Sequence, residues 1–199
     1  MKQVQQDIWI AGAERCPSPN FSERKCQPSA INGYVDLLVI HNISLPPART
    51  ESDFYNRCVE EFFCNKLDTE VYPTLKELDG ICVSAHLYIR RDGSIVQFVP
   101  LNKSAWHAGV SQHKGREACN DFSVGIELQG TDVLPYTERQ YHTLIQVTQT
   151  IREIFTKITV ENIVGHVHIA PDRKTDPGAS FDWQKYKTEL VQTETKSNL

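Results

Sequence analysis

Residues 34–40, Tyr34-Val35-Asp36-Leu37-Leu38-Val39-Ile40, form an almost unbroken apolar stretch of strand length. A run without alternation predicts a central strand covered on both faces. Residues 52–64 carry Tyr55, Cys58, Val59, Phe62 and Phe63 at helical spacing and predict a helix. Over 81–89 the odd positions Ile81, Val83, Ala85, Leu87 and Ile89 alternate with more polar neighbours, the pattern of a strand. Asp92-Gly93 then predicts a hairpin turn, with 94–99 as the returning strand. Residues 123–128 predict a further strand. Thr137-Glu138-Arg139-Gln140 has the form of a capping box. It opens a helix whose buried face is Tyr141, Leu144, Ile145, Thr148, Ile151, Phe155 and Ile158. A short strand over 163–167 and a helix over 181–191, with Trp183, Tyr186 and Leu190 inward, complete the pattern. Residues 16–32, rich in Pro, Ser, Asn and charge, read as irregular. Strands mixed with helices, one pair a hairpin, predict an α/β (α+β) fold: a single domain with a mixed central β-sheet flanked by helices.

Composition narrows the function classes. The chain has 199 residues, a length that suits one domain, and 21 Lys+Arg against 25 Asp+Glu give a net charge of −4. That balance offers no electrostatic reason to bind nucleic acid or an anionic membrane. No apolar run approaches the ~20 residues that span a bilayer. Residues 1–13 hold one Lys and several Gln and lack the apolar segment of a signal peptide, so a cytoplasmic location is expected. The six cysteines at 16, 26, 58, 64, 82 and 119 contain no C-x-x-C, and irregular spacing without an export signal predicts reduced thiols.

Three segments place a chemically useful group where a buried strand ends. His41 follows the first strand, Glu127 interrupts Val124-Gly125-Ile126-Glu127-Leu128, and His166 closes Ile163-Val164-Gly165. The charged loop Pro171-Asp172-Arg173-Lys174-Thr175-Asp176-Pro177-Gly178 follows. Loops held by a rigid sheet are where catalytic groups concentrate. Two imidazoles and one carboxylate with an open position is the composition of a catalytic zinc site, which His41, His166 and Asp176 would supply. Such a site also needs a carboxylate to move a proton and a cation to steady an oxyanion, roles that suit Glu127 and Lys174. The bland readings weigh heavily. A single histidine at a strand end is more often structural than a ligand, and Lys174 with Asp176 can be a solvated ion pair. His168 stands two residues from His166, and His86, His107, His113 and His142 are further candidates. Spacing alone does not choose among them.

The motifs choose. His41-Asn42-Ile43-Ser44-Leu45-Pro46-Pro47, Val83-Ser84-Ala85-His86, Arg90-Arg91-Asp92-Gly93, Ala105-Trp106-His107-Ala108-Gly109, Asn120-Asp121-Phe122-Ser123-Val124-Gly125-Ile126-Glu127 and Ile169 to Gly178 resemble the type 2 N-acetylmuramoyl-L-alanine amidase family. The similarity spans about residues 7–191 and is greatest to the cytoplasmic 1,6-anhydro-N-acetylmuramyl-L-alanine amidases, the AmpD-type subgroup. The resemblance implies the fold shared with peptidoglycan recognition proteins and one Zn²⁺ per chain. It implies His41, His166 and Asp176 as zinc ligands, Glu127 as catalytic carboxylate, Lys174 as transition-state lysine, and Asn42, Trp106 and Ala170 as substrate contacts. It further implies a zinc amidase catalytic domain over 34–191, with 1–33 an irregular leader of the same domain and 192–199 a polar tail. The implied reaction, in cell-wall recycling, splits the amide between the lactyl group of (anhydro-)N-acetylmuramic acid and L-alanine, in small anhydro-muropeptides and with no obligate protein partner.

Residues 48–80 fit the subgroup poorly, and Cys82 and Ala118 stand where subgroup members are expected to carry Arg for substrate carboxylates. The rival readings are a non-catalytic peptidoglycan-binding module and a lytic phage-type amidase. The first is disfavoured by the complete ligand set together with Glu127 and Lys174, the second by Asp in place of Cys as third ligand.

Overall fold

The computed structural model describes residues 6–26 and 28–197; the expectations for residues 1–5 and 198–199 lie outside them. In chain order the strands are β1 (Glu14–Arg15), β2 (Phe21–Glu23), β3 (Leu37–Ile43), β4 (Leu87–Ile89), β5 (Ile95–Gln97), β6 (Lys103–Ala105), β7 (Gln112–His113), β8 (Arg116–Glu117), β9 (Ser123–Gln129) and β10 (Ile163–Gly165). The helices are α1 (Ile31–Tyr34), α2 (Cys58–Phe63), α3 (Glu138–Ile154), α4 (His166–Ile169) and α5 (Trp183–Ser197). Six strands form one sheet in the order β1-β5-β4-β9-β3-β10, and β2 with β6 and β7 with β8 form two small ribbons. Within the sheet only the β4–β5 hairpin is antiparallel. The sheet is therefore mixed, as the sequence predicts.

Side chains alternate across a strand, and this alternation separates core from site. Leu38 and Ile40 of β3 and Val124, Ile126 and Leu128 of β9 join the large apolar cluster that includes Leu144, Ile151, Tyr186 and Leu190 of α3 and α5. Leu37 and Val39 belong to a second cluster with Ala108, Phe122 and Ile169. The residues of opposite parity, His41 on β3 and Glu127 on β9, are register partners and thus share the face turned away from α3 and α5. Thr137 caps α3 as expected: its hydroxyl accepts from the Gln140 amide at 3.1 Å, and Gln140 Oε1 accepts from the Thr137 amide at 3.1 Å.

Several predicted elements are redrawn. The first strand begins at Leu37 and runs to Ile43, so His41 lies inside it, hydrogen-bonded into the ladder with β9. The helix expected over 52–64 breaks into a short 3-10 turn, Glu51–Phe54, and α2, because Asn56 Oδ1 accepts from the Cys58 amide at 2.9 Å and restarts the chain. Only Leu87–Ile89 of the strand expected over 81–89 joins the sheet, since the Ser84 amide bonds to Trp106 O instead. The strand expected over 163–167 ends at Gly165, and α5 runs on to Ser197 through most of the expected tail. The leader is not irregular throughout: Phe21–Glu23 pairs with β6, and Arg24 is buried, its guanidinium donating to the carbonyls of Asn120, Asp121, Leu101 and Ser123. All six cysteines are free thiols. No helix among the described residues is long and apolar enough to cross a membrane.

Candidate metal centre

Three elements bring three donor atoms together. His41 comes from β3, His166 from the first residue of α4 directly after β10, and Asp176 from the loop beyond α4. Their contacts form a triangle: His41 Nδ1 to His166 Nδ1 is 3.0 Å, His41 Nδ1 to Asp176 Oδ2 3.0 Å, and His166 Nδ1 to Asp176 Oδ2 3.1 Å. Among the described residues this is the cluster whose atoms lie close enough to hold a metal ion. Ligands about 2.0–2.1 Å from a tetrahedral zinc stand about 3.3–3.4 Å apart, so the triangle needs to open by only a few tenths of an ångström to receive one.

The surrounding hydrogen bonds show which nitrogen each histidine offers. His166 Nε2 lies 3.1 Å from Ala108 O, a carbonyl that only accepts, so Nε2 carries a proton and Nδ1 is the nitrogen turned to the cluster. His41 Nε2 lies 2.9 Å from His107 Nδ1. Two imidazole nitrogens converging on one carboxylate oxygen are a donor set that suits a divalent metal. Burial lowers the His41 pKa to about 4, against the opposing pull of Asp176, so its imidazole is neutral. Burial likewise holds His107 well below the usual histidine value, helped by His41 and His86. Burial pushes the Asp176 carboxyl upward, but His166 and His41 against its oxygen outweigh that and hold it below the ordinary carboxylate range.

Glu127 is buried beside this triangle, and its Oε2 has no hydrogen-bond partner among the described residues. Burial first, and the Asp176 charge second, raise its pKa well above the usual carboxylate value, while Lys174 pulls it down. A carboxyl so placed holds a proton more readily than an ordinary one, which suits it to exchange protons with a reacting group. The Lys174 amide donates to Ala170 O at 3.0 Å, while its ammonium has no hydrogen-bond or ion-pair partner among the described residues and is available to a ligand. Both line a groove of about 560 Å³ with Asn42, Trp106, His166 and Asp176, which Phe62, Phe63, Ile81 and Cys82 also line. Asn42 is held by Asp132 at 2.9 Å, and Trp106 Nε1 donates to Ser22 at 2.8 Å. Ala170 and Ala118 line an adjoining cavity of about 750 Å³ instead. Cys82 and Ala118, the two positions expected to have lost Arg, thus stand on the walls of neighbouring cavities.

His168 separates from the candidate ligands. Its Nδ1 accepts from the Gly165 amide at 2.9 Å and its ring packs against Trp183, so it caps α4. Sequence pattern alone sets His107 apart from the other histidines no more than it singles out Gly165. An alanine Cβ at Gly165 would stand 2.6 Å from Pro177 Cδ, so this glycine lets the strand that leads into His166 approach the loop bearing Asp176. The signal available was its position beside a candidate ligand, opposite Asp176-Pro177.

A single domain with a mixed sheet and a His-His-Asp cluster that could hold a metal ion, beside a carboxylate and a lysine, has the make-up of a hydrolase scaffold. The profile of the N-acetylmuramoyl-L-alanine amidase family matches residues 31–179, and the chain belongs to that family. Within it, the chain is 49% identical over 187 residues, 94% of its length, to the 1,6-anhydro-N-acetylmuramyl-L-alanine amidase AmpD of Escherichia coli (strain K12), covering 96% of that protein. The fold is similar to a crystal structure of a selenomethionine AmpD derivative, with a TM-score of 0.82, 46% identity, and coverage of 94% of this chain and 98% of that one. It also resembles the amidase AmiD from E. coli in complex with the substrate anhydro-N-acetylmuramic acid-L-Ala-D-gamma-Glu-L-Lys, at a TM-score of 0.58 and 27% identity, over 88% of this chain and 66% of that one.

Proposed function

We propose that the chain is a zinc-dependent amidase that hydrolyses the amide between the lactyl group of 1,6-anhydro-N-acetylmuramic acid and L-alanine, as a cytoplasmic enzyme of cell-wall recycling. The observation that carries this reading is the triangle of His41, His166 and Asp176, with its donor atoms 3.0–3.1 Å apart. The similarity to AmpD over nearly the whole chain supports the substrate class. His41, His166 and Asp176 would hold the zinc. Bound there, zinc supplies Lewis acidity that polarises a carbonyl and acidifies water.

The remaining chemistry falls to Glu127 and Lys174. Glu127 takes a proton from the attacking water through the oxygen that has no other partner. The water oxygen bonds to the lactyl carbonyl carbon, and negative charge gathers on the carbonyl oxygen. The Lys174 ammonium shares that charge. Glu127 then gives its proton to the amide nitrogen, the carbon–nitrogen bond breaks, and a lactyl carboxylate and a free L-alanine amine result. Asn42 and Trp106 flank the groove and orient the substrate, with Ala170 lining the adjoining cavity.

Metal analysis tests the site. The purified chain is expected to hold about one zinc per chain, to hold almost none as His41→Ala, and to bind it weakly as Asp176→Ala. Undiminished zinc in both variants would remove these residues from the ligand set.

A further inference from the structure

Beyond the proposed ligands, a buried chain of hydrogen bonds has a direction that the atoms themselves determine. Ser123 Oγ lies 2.6 Å from Cys119 O, and because a carbonyl only accepts, the serine spends its one hydrogen there. His107 Nε2, 3.0 Å from the same Oγ, must then be the donor in that contact. The neutral His107 ring is left with a bare Nδ1, 2.9 Å from His41 Nε2, and so His41 Nε2 must carry its proton. The outcome, three groups removed from the starting carbonyl, is that His41 Nε2 holds a proton and Nδ1 is the nitrogen that faces His166 and Asp176.

The backbone is shaped to seat this relay. Gly125 lies in the fully buried strand β9, and a Cβ there would stand 2.5 Å from the His107 ring, so the imidazole rests on the space left by the absent side chain. The two rings meet nearly edge to face, at 85° with centroids 5.0 Å apart. The amides of His107 and Ala108 both donate to Asn120 Oδ1, at 3.1 and 2.7 Å, which fixes the segment. The next carbonyl along, Ala108 O, accepts from His166 Nε2 at 3.1 Å. Two adjacent residues thus hold both histidines, one through its ring and one through its carbonyl.

We propose that His107 is a positioning residue, fixing His41 through Ser123 in the tautomer that offers Nδ1 to the metal. The inference rests on the proposed zinc site, but its first readout does not need the metal. In the metal-free full-length chain, long-range ¹H–¹⁵N spectra of the histidine side chains are expected to show His41 and His107 both protonated at Nε2. His107→Phe removes the acceptor and is expected to abolish the His41 preference, and Ser123→Ala to mix the tautomers of His107. A wild-type His41 with a bare Nε2, or an unchanged His41 tautomer in His107→Phe, would overturn the proposal.

The second readout is zinc affinity measured against a competing chelator, with thermal melting to establish that each variant is folded. His107→Phe and His107→Gln are expected to bind zinc about 10–100-fold more weakly, the usual effect of losing an outer hydrogen-bond partner. His107→Asn keeps an acceptor at the position of Nδ1 and is expected to stay within about threefold of wild type. A packing role alone would make Asn, the smallest of the three, the worst. Equal affinity in all variants beside a zinc-binding wild type would overturn the positioning role. A wild type that binds no zinc would overturn the metal reading instead and leave the tautomer result standing on its own.

Discussion

Gly165→Ala separates the contribution of backbone approach from that of the ligands themselves. Gly165 has φ −88° and ψ 163°, values any residue adopts, so the substitution brings no backbone strain. Its cost is contact. The new Cβ would stand 2.6 Å from Pro177 Cδ, 3.2 Å from Trp183 and 3.3 Å from the Asp176 carbonyl oxygen. Ordinary carbon contacts lie at about 3.5–4.0 Å, so β10 and the Pro177 loop must part by about 1 Å. Overpacking of this kind costs about 1–3 kcal/mol, which for a domain of this size lowers Tm by about 2–12 °C. The same movement carries His166 away from Asp176, and metal sites tolerate only about 0.2 Å in ligand position. Zinc affinity, measured by chelator competition, is therefore expected to fall on the order of tenfold or more. Gly115→Ala is the control: Gly115 has φ +80° and nothing within 4 Å of its Cβ position, so it pays about 1–2 kcal/mol of backbone strain with no change in zinc binding. Wild-type zinc affinity and melting in Gly165→Ala would refute the claim that this glycine sets the distance between two ligands.

Glu127→Gln is expected to keep its zinc and lose about 10²–10⁴-fold in turnover, the usual cost of a positioned general base. In the metal-free protein the same variant carries a pH signature. Burial raises the Glu127 pKa in the folded state, so the native chain retains a proton the unfolded chain has released, and wild-type stability falls as pH rises from about 4.3 through the folded value. The Gln variant is therefore expected to melt above wild type at pH 8 and to match it near pH 4; a gap that does not grow with pH would contradict the burial argument. Lys174→Ala is expected to lower kcat more than it raises KM, since its contact strengthens as charge develops, and a pure KM effect would assign it to ground-state binding. His168→Ala is expected to keep zinc while losing some stability with the α4 cap, and loss of the metal would mean the ligand set is misassigned.

The strands, the main helix and the candidate ligands were legible because each leaves a local mark. The apolar run before His41 marks a strand covered on both faces, and Thr137 with Gln140 marks a helix start through a reciprocal bond three residues long. Most of what stayed hidden depends on contacts between distant segments. The break before α2 turns on Asn56 capping Cys58, a local bond that the apolar spacing of 52–64 masked. The order of the leader depends on Arg24 reaching carbonyls nearly a hundred residues away. The choice between His166 and His168 turns on which imidazole caps the helix and which faces His41, and two histidines at the same spacing look alike in sequence. His107 is the fullest case. Its use is written in the directions of three hydrogen bonds and in the missing side chain of Gly125, none of which a one-dimensional pattern records.

The measurement that tests the proposed function most directly is mass spectrometry of the products formed from a soluble anhydro-muropeptide, with intact sacculi alongside, by the zinc-loaded and the chelator-stripped chain. The account predicts a single cut between the lactyl carbonyl and L-alanine, releasing a peptide with a free N-terminal L-Ala. It predicts that the cut depends on zinc and is far faster on the soluble fragment than on sacculi. Cleavage at another bond, or the same cleavage without zinc, would contradict the site built on His41, His166 and Asp176, and equal rates on sacculi would contradict the recycling role.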